Sequence, residues 1–179
     1  MIQPLKIIEK YYSKGSELYN VLIIHSEQVR DKALSIAAKH PELQIDLRFV
    51  EEASLLHDIG IFLCNAPAIF CMGTHSYIEH GYLGSDLLRM EGLDKHALVC
   101  ERHTGVGITK EIIEKNKFPL PKRDMIPVSL EEKLICYADK FYSKSNLDNE
   151  LSIEKIRKHL GHFGEENVRI FDEWHGVFE

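Results

Sequence analysis

Leu55-Leu56-His57-Asp58-Ile59-Gly60 is the stretch on which the reading of this chain turns. A histidine and an aspartate stand side by side at the end of an apolar, helix-like run. Burying both is costly unless something pairs with them. A divalent metal does so, because neutral imidazole nitrogen and carboxylate oxygen both ligate zinc, manganese or iron. Alone, a His-Asp pair is more often a helix cap or a surface pair than a metal site. What shifts the balance is that the chain offers matching groups at intervals of about one helix: His25, His80, His103 and Asp139.

Upstream, Asp46 is placed to cap a helix over 47–57, in which Phe49, Val50, Ala53, Leu56 and His57 share a face. Before it lies a long helix over 17–39, capped by Ser16 and closed by His40-Pro41. His25 falls on or beside its apolar stripe. A short helix over 4–12, with Pro4 at its start, comes first.

Downstream, residues 61–74 are apolar but contain Pro67 and Gly73, and read as a loop over the site. A helix beginning near Thr74 or Ser76 runs to Met90 and carries His80. Asp94 caps a short helix through His103, which Thr104-Gly105-Val106-Gly107 breaks. Thr109 opens another over 110–117. Residues 118–128 hold three prolines and the basic Lys122 and Arg123. Ser129-Leu130-Glu131-Glu132 has the spacing of a capping box. The helix it opens turns Leu134, Ile135, Tyr137, Ala138 and Asp139 inward. Further helices are expected from Ser152 to Leu160 and from Glu165 to Trp174. No convincing strand, repeat or dividing linker is visible. The expectation is one all-α domain over 1–179, a bundle of seven to nine helices, with its core over about 16–144 and C-terminal helices from 150 packed on it. The C-terminal Phe171, Trp174, Val177 and Phe178 pack either on that core or on a second copy, as in a homodimer.

The 179 residues, 44% of them apolar, suit a single domain with a real core. A formal net charge of -6 argues against a nucleic-acid polymer as partner. A small phosphorylated ligand stays open, because a metal supplies positive charge locally. Cys64, Cys71, Cys100 and Cys136 form no C-x-x-C pair and read as reduced, buried thiols. The start of the chain does not resemble a signal peptide, and no apolar run reaches the roughly 20 residues of a membrane span. A cytoplasmic protein with no membrane partner is expected.

Among ten histidines, His40, His159, His162 and His175 sit in polar or terminal surroundings and read as solvated. His96 lies in a polar first turn and reads as exposed. His75, five residues before His80, is off its helical face and is placed as a substrate contact near the site. His25, His57, His80 and His103, with Asp58 and Asp139, fall on or near apolar faces. One buried metal cluster accounts for all six. His25, His57 and Asp139 suit one ion and His80 and His103 another, with Asp58 bridging through its two oxygens. Two ions some ~3.5–4 Å apart hold a hydroxide and clamp a phosphate. One or two divalent ions are expected, with iron, manganese, nickel and zinc not distinguished.

The order His25, His57-Asp58, Asp139 resembles the HD superfamily of metal-dependent phosphohydrolases. The likeness runs through His25-Ser26-Glu27-Gln28-Val29, Leu55 to Gly60, and Ala138-Asp139-Lys140. His80 with Gly84, and Arg102-His103-Thr104-Gly105, resemble the extra ligands of dinuclear members. Among these it looks most like the YqeK-type symmetrical diadenosine tetraphosphate hydrolases. It departs from them after the last aspartate, where Phe141-Tyr142-Ser143-Lys144 replaces a Glu-Pro and a later arginine. It also lacks the Gly-Tyr-Pro signature of cyclic-di-GMP phosphodiesterases.

The resemblance implies hydrolysis of a nucleotide phosphoester or phosphoanhydride by metal-activated hydroxide. Asp58 and Lys140 are the candidates for direct catalytic roles. Lys140, Arg102, Lys144, Lys122, Arg123, Thr104, Gly105 and His75 are the candidate substrate contacts, since cationic groups and backbone amides complete a phosphate clamp. Other readings of the same ligands are a regulatory module that binds a nucleotide without turnover and a dinuclear-iron oxygenase.

Overall fold

The computed structural model describes residues 2–179, and these form nine α-helices joined by short 3₁₀ turns and one small hairpin. Helix α1 spans Pro4–Tyr11, with its proline at the start. Helix α2 spans Glu17–Lys39, and Ser16 Oγ accepts the Tyr19 N–H at 3.2 Å. Helix α3, Leu47–Leu56, is capped by Asp46, which accepts the Phe49 N–H at 3.0 Å. Helices α4 (His80–Met90), α5 (Asp94–Arg102) and α6 (Lys110–Asn116) follow, then α7 (Leu130–Asp139), α8 (Ile153–Gly161) and α9 (Glu165–Phe178).

Two apolar clusters build the interior. One joins Val29, Ala33 and Ile36 of α2 to Val50 and Ala53 of α3, to α7, and to Phe171, Trp174 and Phe178 of α9. The other joins Ile8 of α1 to Leu22 of α2, to Leu56 and Ile59, and to Leu88, Ala97 and Cys100 of α4 and α5. The two meet along α2 and α3, so His25 lies between Leu22 of one and Val29 of the other. Phe171, Trp174 and Phe178 thus lie on the chain's own core, while Val177 is exposed. All four cysteines are buried free thiols. Among the described residues no helix is long and apolar enough to cross a membrane.

Gly60 sets the close approach that builds the site. A Cβ there would stand 2.3 Å from the His80 carbonyl oxygen and 2.4 Å from the Gly84 nitrogen. Glycines on both sides let the start of α4 lie directly on the turn after α3, which brings His80 to His57-Asp58.

Several local expectations are corrected. Helix α3 ends at Leu56, and His57 and Asp58 occupy the turn that follows. The segment over 61–74 does contain strands: β1, Asn65–Ala66, pairs antiparallel with β2, Cys71–Met72. Two-residue strands are too short to show alternation, and Pro67–Ile69 with left-handed Phe70 (φ 61°) makes their turn. Helix α4 starts at His80, after a 3₁₀ turn that Ser76 and Glu79 close with a reciprocal capping box. At α7, Ser129 caps as expected, but Glu132 reaches back to the Val128 N–H at 3.0 Å rather than to Ser129. Helix α9 runs past Trp174 because Phe178 anchors a further turn in the core. His96 is buried, not exposed: its Nε2 faces Glu52 at 3.4 Å and its ring meets Phe49 edge-on. His175 is half-buried, with Nδ1 2.8 Å from the Tyr137 hydroxyl.

Candidate metal centre

Four helices and one turn deliver the six expected ligands to one point. His25 comes from the middle of α2, His57 and Asp58 from the turn after α3, and His80 from the first residue of α4. His103 follows α5 directly, and Asp139 ends α7. All six are buried, Asp58, His25 and His57 completely.

Asp58 lies at the centre and its two oxygens face different partners. Oδ2 stands 3.2 Å from His25 Nε2 and 3.1 Å from His57 Nε2. Oδ1 stands 3.4 Å from His80 Nε2 and 3.3 Å from His103 Nε2. Asp139 Oδ1 completes the first group, 3.0 Å from His25 Nε2 and 3.5 Å from His57 Nε2. These distances define two ligand sets sharing Asp58: His25, His57, Asp58 and Asp139, and Asp58, His80 and His103.

Three of the imidazoles are aimed from behind. His57 Nδ1 lies 2.6 Å from Ser54 O, His80 Nδ1 2.6 Å from Tyr77 O, and His103 Nδ1 2.7 Å from Cys100 O. A carbonyl only accepts, so each Nδ1 carries the hydrogen and each Nε2 turns inward. This is the arrangement in which metal-binding histidines are held.

The charges are unequal. Burial pushes His80 down to about 3, aided by His103, and burial also lowers His103. Both rings are therefore neutral at pH 7, and their two Nε2 lone pairs face each other at 3.0 Å. That contact is repulsive unless a cation lies against both. Burial opposes charging of His57 too, but Asp58 and Asp139 outweigh it and lift it to about 9. Burial disfavours ionised Asp58 and Asp139, yet Lys144 and His57 for the first, and Lys140 and His25 for the second, hold both well below the usual carboxylate range. His57 Nε2 and both Asp58 oxygens accept or donate no well-formed hydrogen bond. Buried imidazole nitrogens and carboxylate oxygens that converge without well-formed hydrogen bonds fit a divalent cation of His/Asp preference.

Two lysines reach the cluster. Lys140 Nζ stands 2.8 Å from Asp139 Oδ2 and donates to His103 O at 3.2 Å. Lys144 Nζ stands 2.5 Å from Asp58 Oδ2. Thr104 and Gly105 follow His103, with Gly105 left-handed at φ 62°. Three of the remaining candidates are paired with carboxylates outside the six. Arg102 pairs with Glu132 at 2.9 Å, and Arg123 with Glu101. Lys122 is exposed, and His75 faces Glu79 at 3.2 Å.

Sequence reasoning passed over Tyr77. Its ring stacks on His80 at 4.7 Å between centroids and 23° between planes, and burial raises its hydroxyl to about 12. The signal was present in the Tyr77-to-His80 spacing, one helical turn.

An uncharacterized protein of Methanocaldococcus jannaschii is 38% identical over 130 residues, covering 72% of this chain and 69% of its own. Two tRNA (cytidine(56)-2'-O)-methyltransferases match at lower identity. That of Picrophilus torridus is 33% identical over 76% of this chain, and that of Thermoplasma volcanium 30% identical over 83%. This chain spans only 36% and 38% of their lengths. Among solved structures, the HD domain of the L. monocytogenes phosphodiesterase PgpH superposes over the whole of both chains, with a TM-score of 0.55 at 15% identity. That likeness extends to the fold. The HD domain profile matches residues 22–143, a span that runs from just before His25 to just past Asp139, and the chain belongs to the HD-domain family.

Proposed function

We propose that this protein is a metal-dependent phosphohydrolase acting on a phosphoester or phosphoanhydride of a nucleotide. The observation that carries the reading is the division of Asp58 between two sets of inward-turned imidazoles, with two ammonium groups alongside. Bound there, divalent metal lowers the pKa of water and neutralises phosphoryl charge. The chain's residues do the rest. Asp58 and Asp139 supply negative charge at the centre. Lys140, fixed between Asp139 and the His103 carbonyl, holds an ammonium beside the reacting phosphate. Lys144 supplies a second cation. Tyr77 covers the His80 ring and limits access by water. Burial of all six ligands keeps these charges effective, because little solvent screens them.

The test is metal analysis of wild type and His57→Ala, each assayed on a nucleotide panel that includes diadenosine tetraphosphate. Wild type should carry one to two metal ions and release phosphate or a nucleotide, and the variant should do neither. Metal-loaded wild type that turns over nothing on the panel would sink the hydrolase reading.

A second reading is favoured by the two longer relatives, in which the matched segment is part of a chain named for tRNA methylation. The substrate phosphate then sits on tRNA rather than on a free nucleotide. The net charge of -6 weighs toward the free nucleotide. Adding tRNA with a terminal phosphate to the panel separates the two.

A further inference from the structure

The two lysines of the centre are not equivalent. Lys140 meets Asp139 at Oδ2, while His25 and His57 face that residue's Oδ1. It therefore leaves the ligating oxygen free. Lys144 meets Asp58 at Oδ2, the same oxygen that His25 and His57 face at 3.2 and 3.1 Å. A cation held by His25, His57, Asp58 and Asp139 draws on the oxygen that Lys144 holds. An ammonium and a divalent ion against one buried oxygen repel strongly, since little solvent screens them.

The charge balance points the same way. Asp58 and Asp139 already have Lys144 and Lys140 against them, so any divalent ion adds positive charge beside an ammonium. The lysine that shares its oxygen with His25 and His57 is the one to yield. Lys140 has a second anchor in the His103 carbonyl, within 3.2 Å. Lys144 sits in a turn closed by the Asn146 N–H donating to Ser143 O, outside any helix.

We propose that Lys144 is a built-in competitor for the metal: its ammonium and a divalent cation hold Asp58 Oδ2 in turn, and loading moves Lys144 off the carboxylate. This rests on the reading of the cluster as a metal centre. It makes Lys144 a counter-ion of the unloaded protein and a free phosphate-binding cation of the loaded one.

The experiment titrates Mn²⁺ into the chelator-treated whole chain, comparing wild type with Lys144→Met and Lys144→Gln. Melting temperatures are recorded for each, stripped and saturated. Both variants should bind Mn²⁺ roughly tenfold or more tightly than wild type, because no buried ion pair has to be broken. Their melting temperatures should fall below wild type when stripped and rejoin it when saturated. If both variants bind Mn²⁺ no more tightly than wild type, or if the deficit persists at saturation, Lys144 is a structural residue and the competition is refuted. If wild type itself takes up no Mn²⁺, the metal-centre reading falls, and this inference with it.

Discussion

At pH 7 the imidazoles of the centre carry different charges, and that difference sets a pH dependence. His80 and His103 are depressed by burial, His80 to about 3 from an ordinary 6.5. The unfolded chain then binds more protons, so their contribution to stability is lost as pH falls below about 6.5. His57 is raised to about 9, so its contribution is present below about 6.5 and lost as pH rises through about 9. Chelator-treated protein should thus melt at its highest temperature near neutrality, with losses on both sides; thermal scans from pH 4 to 10 would show it, and a flat profile would contradict the charge assignment. Manganese retention should decline over the acid limb, because protonated imidazole cannot ligate. The six clustered groups were legible in the sequence because each stands on or beside an otherwise apolar face or at its end. His96 was not: its neighbours Asp94 and Lys95 suggest solvent, and its burial depends on Phe49 and Glu52 of another helix. The pairing of Arg102 with Glu132 and of Arg123 with Glu101 was equally hidden, since it joins residues 22 to 30 positions apart.

Among the elements, the crossing of α4 over the turn after α3 tolerates little change. A methyl at Gly60 would meet backbone at 2.3 Å, which no rotamer relieves. Gly60→Ala should cost about 3 kcal/mol or more in urea denaturation and should reduce metal retention, since His80 moves with α4. Gly176→Ala is the contrast. It lies inside α9 with nothing within 4 Å of its Cβ position, and should stabilise by about 0.5–1 kcal/mol. Equal effects of the two substitutions would count against the crossing as the constraint. Helix starts were the most legible boundaries: Ser16, Asp46, Thr109, Ser129 and Ser152 all cap where their side chains suggested. The hairpin of β1 and β2 was illegible, because four paired residues carry no period. The end of α9 was missed because its anchor, Phe178, lies beyond a glycine.

Across the whole molecule, the C-terminal helices act on the centre from a distance. Tyr137 of α7 stacks on Phe171 of α9 at 5.2 Å, two residues before Asp139. Phe171 is fully buried in the cluster that also holds α2 and α3. Phe171→Ala should cost about 3–5 kcal/mol and, in protein that still folds, weaken metal binding through the position of α7. Unchanged metal affinity in the folded variant would show that α9 serves stability alone. The all-α class followed from the period of the apolar residues, whereas the sequence left Phe171, Trp174 and Phe178 open between the chain's own core and a second copy, and the fold seats them on the core.

The backing of His57, His80 and His103 by the carbonyls of Ser54, Tyr77 and Cys100 has a consequence for inheritance. Each imidazole is oriented by a carbonyl three residues earlier in its own turn, and side chains take no part in the tether. Any residue can stand at 54, 77 or 100 without altering which nitrogen faces inward, provided the turn survives. The aim of these three groups is thus written in backbone, which mutation does not edit. Descendants of this chain can exchange most of the surrounding sequence and still present the same ring nitrogens to the same point.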